Sequence, residues 1–239
     1  MLSIPRAVVA GFCVAATAAL AGCAGFDSPG SGPAAEAPAY RAGDRWTYRV
    51  QDGFRVQERW EETHVISAIN ADGISAQITQ KGPSRDTARS ELWSAPGLAK
   101  IGAVFDNETR RFVTPLERYR FPLAGGATWS QFADNYNEAT KVSGQINRYV
   151  RVRGWEKVTT PAGTFDAIVM HVIMRLDDEE FWRYATQCNY TVWYAPAVRG
   201  VVREEKRASY LEKSSDRDHS GWIPTQNAVV ELVSFTPGS

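Results

Sequence analysis

The feature that most constrains this chain is a repeated one: short runs in which apolar and polar residues alternate, each cut off by a turn signal. Ile74, Ala76 and Ile78 alternate with Ser75, Gln77 and Thr79. Successive side chains of a strand point to opposite faces, so this run reads as a half-buried strand with one polar face. Trp46-Thr47-Tyr48-Arg49-Val50 alternates in the same way, and Asp52-Gly53, Asn70-Ala71-Asp72-Gly73 and Lys81-Gly82-Pro83-Ser84 punctuate the runs with hairpin chemistry. The clearest stretch is 146–175. Val150, Val152 and Val158 share one face, with Tyr149 and Trp155 on the other, before Thr160-Pro161-Ala162-Gly163-Thr164 interrupts. Beyond it, Ile168, Met170, Val172 and Met174 oppose Phe165, Ala167, Val169 and Ile173, an apolar run on both faces that requires cover on both sides. Further strands are expected over 54–69, 86–93, 128–132, 181–194, 200–211 and 228–235, and short strands and loops over 94–122, where Pro96, Pro115 and Pro122 intervene. Residues 131–141 also read as a short helix, and Asp177-Asp178-Glu179-Glu180 as a solvated turn. No amphipathic helix of 12 residues and no internal repeat is seen. The expectation is an antiparallel all-β domain, a single curved sheet with at most one or two short helices.

The N-terminus lies outside that pattern. Arg6 precedes an uncharged, Ala- and Val-rich run over 7–19, too short for the roughly 20 residues of a bilayer span, and Leu20-Ala21-Gly22-Cys23 closes it. The four closing residues resemble the lipobox of bacterial lipoproteins. That resemblance implies a signal peptide over 1–22 cut between Gly22 and Cys23, and acyl chains of the palmitate class on Cys23. Two or three such chains anchor lastingly where one does not. The bilayer is then a partner through Cys23. Ala24 stands where an Asp usually retains such proteins in the inner membrane, which implies the outer membrane, facing the periplasm, in a Gram-negative host. Residues 24–39 are Gly, Ser, Pro and Ala with one Phe, Phe26, and two single charges, a flexible tether spanning roughly 22 Å. The division is therefore signal 1–22, lipidated Cys and tether 23–39, and one β-rich domain 40–239.

Charge and cysteine content narrow the partners. Twenty-seven basic residues balance 27 acidic ones, so no basic field marks the chain for nucleic acid. With Cys13 in the signal and Cys23 lipidated, Cys188 stands alone. It can form no intramolecular disulfide, and in a strand-like run it reads as a small buried hydrophobe.

A second resemblance spans most of the domain. Gly43, Trp46 and Tyr48, then Pro161-Ala162-Gly163-Thr164-Phe165, then Trp193-Tyr194-Ala195-Pro196 and Gly200-Val201-Val202 resemble a pattern of uncharacterised bacterial envelope proteins, with Arg199 a departure from it. It implies an antiparallel sheet and no activity. By looser analogy the shape is similar to the half-open barrel of the LolA-like lipoprotein carriers.

Catalytic motifs are missing: no Gly-x-Ser-x-Gly, no phosphate-binding Gly loop, no His-Glu-x-x-His and no Cys-x-x-Cys. His64 and His171 fall in expected strands, and His219 in a loop. Asp216, Asp218 and Ser220 before Gly221 place oxygen ligands at alternate positions, as in the opening of a Ca²⁺ loop, but Asn227 replaces the closing bidentate Glu. No metal and no cofactor is assigned. Eight Trp suffice either to fill a curved sheet's core or to line an apolar cavity. Arg148, Arg151 and Arg153 form a basic strand, read as an exposed face. The functions expected, in order, are a non-enzymatic envelope lipoprotein that binds a protein partner or serves assembly, a carrier or sensor of a lipid or other apolar ligand, and a hydrolase.

Overall fold

The computed structural model describes residues 32–213 and 221–239. The signal segment, Gly22, Cys23 and the loop residues Asp216, Asp218 and Ser220 lie outside the described residues. Twelve strands follow in order: β1 (Arg45–Asp52), β2 (Glu58–Asn70), β3 (Gly73–Gly82), β4 (Arg85–Ala95), β5 (Leu98–Ala103), β6 (Thr109–Glu117), β7 (Thr128–Asn137), β8 (Val142–Thr160), β9 (Gly163–Arg175), β10 (Gln187–Ala195), β11 (Gly200–Leu211) and β12 (Trp222–Thr236). One 3₁₀ turn, Pro196–Val198, separates β10 from β11. Each strand pairs antiparallel with the next, and β1 pairs with β12 from Arg45↔Thr236 to Asp52↔Ala228. The result is a closed up-and-down barrel. The all-β class is as expected, and the barrel is shut instead of half open, because its first and last strands find each other across the whole sequence.

Several local expectations change. Residues 131–141 form no helix: β7 runs to Asn137, with Trp129, Ala133, Asn135 and Asn137 buried and Phe132 and Tyr136 outside. Phe132 and Tyr136 have helical spacing, but two strand periods also equal four residues. The end of the expected tether lies on the barrel, where Ala35 is 3% exposed and bridges Leu123 through reciprocal 2.8 Å bonds. The turn after β9 is solvated at Glu179 and Glu180, as expected, but three of its four carboxylates are also paired: Asp177 meets Arg110 at 2.5 Å, Asp178 meets Arg183 at 3.1 Å, and Glu179 meets Lys213 at 2.8 Å.

The turns of even-to-odd strand pairs mark one end of the barrel, here the lower end, and those of odd-to-even pairs the upper end. The lower end is sealed by aromatic rings. Trp46 stacks on Phe235 at 5.4 Å and meets Tyr40 edge-on at 5.9 Å, while Phe121 meets Tyr194 at 5.5 Å. The indole Nε1 of Trp46 donates to Val198 O at 2.7 Å, and a Cβ on Gly200 would sit 2.7 Å from that nitrogen. Asp44, fully buried, accepts from Arg41 N, Gly238 N and the Arg199 guanidinium, all within 2.9 Å. The recurring Gly43-x-x-Trp46 and Gly200-Val201-Val202 patterns are thus two sides of one clasp. The β8–β9 hairpin completes it. Ala162 N at its tip donates to Leu232 O of β12 at 3.1 Å, and Val158 and Ala167 pack in one cluster with Trp46, Val198 and Leu232. This explains why β9 is apolar on both faces: Ala167 and Val169 are covered, and only Ile173 of that face stands out, 55% exposed.

Candidate functional site

Strand register dictates what enters the barrel. Trp46, Tyr48 and Val50 of β1 point inward, and their partners on β2 are His64, Glu62 and Trp60. On β4 the inward phase carries Arg89 and Glu91, opposite Ile78 and Ala76; on β11 it carries Glu204 and Lys206, opposite Val230 and Ala228. A barrel's width grows with strand number, and twelve strands enclose more than eight, whose interior side chains fill or which hold one small ligand. Here the large side chains leave a cavity of about 220 Å³ above the aromatic seal, reaching Asp52, Asp106 and Gln226 near the upper end. Inward-facing Lys206 and His64 keep 29% of their side-chain surface exposed, and Glu204 20%, so water reaches them inside the wall.

The charged groups form a chain. Glu62 takes His64 Nε2 and Gln80 Nε2, each at 2.5 Å, with Arg89 at 3.8 Å. Arg89 continues to Glu91 at 3.2 Å, and Glu91 to Arg118 at 2.7 Å. Glu91 also accepts from Trp93 Nε1 at 3.0 Å and Ala103 N at 3.1 Å. The missing side chain of Gly102 makes this possible, since a Cβ there would lie 2.3 Å from Arg118 Nη2. Burial alone would raise the Glu91 carboxyl, but Arg118, Arg89 and the indole donor outweigh it and hold it at about 2. Glu62 is likewise held well below the usual carboxylate range: burial pulls upward, and His64 and Arg89 overcome it. Lys206 pairs with Glu204 at 2.7 Å, and that carboxylate, against the pull of burial, raises its ammonium.

The opposite wall is apolar, formed by Val172, Met174, Val192 and Leu116, except for Arg148. Sequence alone groups Arg148 with Arg151 and Arg153 on an exposed face. The structure separates them: period two puts Arg148 in phase with Ile146 and Val150, and it is 8% exposed, inside the barrel. It reaches toward a short seam of the barrel. β6 and β7 are paired only at Arg110–Phe112 with Asn135–Asn137. Below that, side chains replace the ladder. Gln131 accepts from Glu117 N at 2.8 Å and donates to Pro115 O at 3.0 Å. Arg148 donates to Glu117 O at 2.7 Å and Arg118 O at 3.1 Å. Burial lowers its guanidinium to about 10, so it stays cationic at neutral pH.

Of the residues singled out from sequence, few meet in this cavity. His64 lines it beside Glu62, and no Ser, Thr or Cys is among the lining residues. His171 lies on the outer phase of β9 near Arg153, and Cys188 is 1% exposed, with burial pushing its thiol up to about 12. Among the described residues, no group of three His, Cys, Asp or Glu side chains is placed to hold a metal ion. Trp46, Trp60 and Trp93 line the cavity, whereas Trp155, Trp193 and Trp222 do not. Sequence reasoning missed Glu62, Gln80, Arg89, Glu91, Arg118, Glu204 and Lys206. The available signal was charge on the apolar phase of a strand, as with Glu91 two residues from Trp93 and Glu62 two from Trp60.

Comparison with known proteins adds a partial likeness. Residues 128–214, which span β7 to β11, match the family model described as DUF3108-like. No curated protein matches the chain. Among solved structures, a protein described as exported, with a YmcC-like fold, from Bacteroides fragilis NCTC 9343 is 14% identical, with a TM-score of 0.49 over 85% of this chain and all of that one. A protein described as a lipoprotein from Parabacteroides distasonis ATCC 8503 is 13% identical, with a TM-score of 0.46 over 86% of this chain and all of that one. At that level of similarity neither says what this chain does.

Proposed function

We propose that this chain is a lipid-anchored envelope protein, held through Cys23, whose barrel binds a small amphiphilic ligand in its lumen as a carrier or sensor. The observation that carries this reading is the water-reached cavity of about 220 Å³ with one charged and one apolar wall. An engineered cavity of roughly 150 Å³ takes up benzene, so this volume suits a molecule somewhat larger. The mixed lining favours an amphiphile over the purely apolar ligand expected from tryptophan content, because a wholly apolar ligand would strip water from Glu204, Lys206 and Arg118 without replacing it. The ligand sits inside the barrel, not the lipid outside it. The outer wall carries ion pairs such as Arg49–Glu231, Arg203–Glu205 and Lys157–Asp166, unlike the apolar band of a membrane-spanning barrel.

The test is native mass spectrometry of the full chain purified from bacterial membranes in a neutral detergent, followed by organic extraction. A stoichiometric added mass below about 300 Da, absent from a detergent blank, is expected. A clean apo mass, together with no binding of added short-chain amphiphiles, would overturn the reading. A second reading, docking of another envelope protein, is favoured by the apolar rim of the upper end: Phe54, Val56, Phe181, Trp182 and Trp222 are 41% to 90% exposed. Site-specific crosslinking from Val56 and Phe181 in intact cells tests it, and the absence of any discrete adduct would sink it.

A further inference from the structure

We propose that the ligand of the lumen is acidic: a small amphiphile whose carboxylate or phosphate head is held by Arg148 and whose apolar part lies on Val172 and Met174. This rests on the lumen-binding reading and adds the chemical class of the ligand.

Arg89, Arg118, Arg148, Arg199 and Lys206 share the cavity lining with Asp52, Glu62, Glu91, Asp106 and Glu204, five cations with five carboxylates, so what sets Arg148 apart is its pairing and not a net excess of charge. The carboxylates are taken. Glu204 holds Lys206, Glu91 holds Arg118 and Arg89, and Glu62 holds Arg89 and His64. The other charged residues of the lining are also engaged: Arg199 with Asp44, Asp106 with Arg85, and Asp52 with Asn227 N at the upper rim. Arg148 is left with backbone carbonyls alone. They occupy two of its five N–H donors and neutralise none of its charge. Glu204 and Glu117 lie near enough to favour its charge, but neither is in ion-pair contact with it, and a buried cation with no carboxylate in contact is costly unless an anion arrives.

A second, independent group points the same way. Tyr194 lines the same cavity, and its hydroxyl, shut off from solvent, has no hydrogen-bond partner among the described residues. Buried hydroxyls are nearly always satisfied, so this orphan, on a residue of the cavity lining, is available to a ligand atom. Tyr119, whose ring lies 5.9 Å from that of Tyr194, also lines the cavity. Register supplies the apolar half of the site. Arg148 pairs with Met174, and its neighbour on the same face, Val150, pairs with Val172, so an acid head on the guanidinium brings its tail onto these side chains. A guanidinium offers parallel N–H donors that match carboxylate and phosphate oxygens alike, which defines the ligand as acidic but leaves the kind of acid to experiment. A cavity of about 220 Å³, set against the roughly 150 Å³ that takes up benzene, suits a short tail.

Hexanoate, hexyl phosphate and hexanol discriminate. Each is titrated into the full chain, purified in neutral detergent, with binding read by calorimetry and by the fluorescence of Trp60 and Trp93. At least one acid is expected to bind ten-fold or more tightly than hexanol, and the stronger acid names the head group. Arg148→Met is expected to abolish this preference while hexanol still binds, and Arg148→Lys to restore part of it. Equal binding of all three overturns the acidic-ligand proposal and leaves lumen binding standing, whereas no binding of any of them removes both. An acid preference undiminished in Arg148→Met places the charge elsewhere and overturns the proposal. If Arg148→Met does not fold, Tyr194→Phe decides, since it removes one hydroxyl that holds nothing in the fold. It is expected to weaken the acid several-fold relative to hexanol, and unchanged relative affinity counts against the proposal.

Discussion

At the lower end of the barrel, polar side chains that enter the interior end on backbone or on a buried partner. Asp44 takes two main-chain N–H groups and a guanidinium, and Trp46 ends on Val198 O. In the lumen above, Glu62, Arg89, Glu91 and Arg118 instead hold one another in a chain, with water at Lys206 and His64. The sealed end spends polar groups on geometry, fixing where the chain's two ends lie. The lumen keeps them on the cavity wall, where a ligand can compete for them. Buried ion pairs add little net stability over an apolar core, so a barrel that needed only to be stable would have filled its interior as it filled its base.

Four measurements would break or sharpen that contrast, from the largest effect to the smallest. Asp44→Ala should cost about 3–5 kcal/mol in urea unfolding, since it orphans Arg199 and two buried N–H groups together. A loss below about 1 kcal/mol would show that the clasp is not what holds the base.

In the lumen, Glu62 and Glu91 have folded-state values below their unfolded ones. Their contribution is complete above about pH 4.5 and is lost as pH falls, through about 2 for Glu91. Stability should therefore drop steeply over that window. Glu91→Gln, weaker by roughly 2–3 kcal/mol at pH 7, should show a flatter acid limb; an unchanged slope would remove Glu91 from the account.

Gly200→Ala drives a methyl against Trp46 Nε1 and should cost about 1–3 kcal/mol in urea unfolding. A smaller loss would show that the indole gives way without disturbing the seal. Last, Tyr194→Phe should be neutral or stabilise by up to about 1 kcal/mol, because it deletes an unsatisfied buried hydroxyl. Destabilisation would show that the hydroxyl is satisfied in solution.

What was legible in the sequence follows from the range of the forces involved. Period-two runs such as Ile74 to Thr79 and the two-faced β9 are local statements about burial, and they were readable. So was the Pro161 to Thr164 turn. Barrel closure was not, because it depends on Arg45 meeting Thr236, a pairing no local pattern encodes. The lumen was hidden for a different reason. A charged residue in a strand reads as outward by default, and only its phase against buried neighbours reveals otherwise. Arg148, between Ile146 and Val150, carried that information, and grouping it with Arg151 and Arg153 by charge discarded it.

The pairing of β1 with β12 also sets an order of events. A chain that emerges N-terminus first presents β1 with one edge paired to β2 and the other open until its last fifteen-residue strand, β12, has appeared. Through all that time an unpaired edge is available to any other strand, the circumstance in which β proteins aggregate. The lumen, too, has no wall between β1 and β11 until β12 has been made. If the lumen binds a ligand as proposed, loading must wait for β12, and a truncation that removes β12 should abolish loading before it abolishes the β8–β9 hairpin.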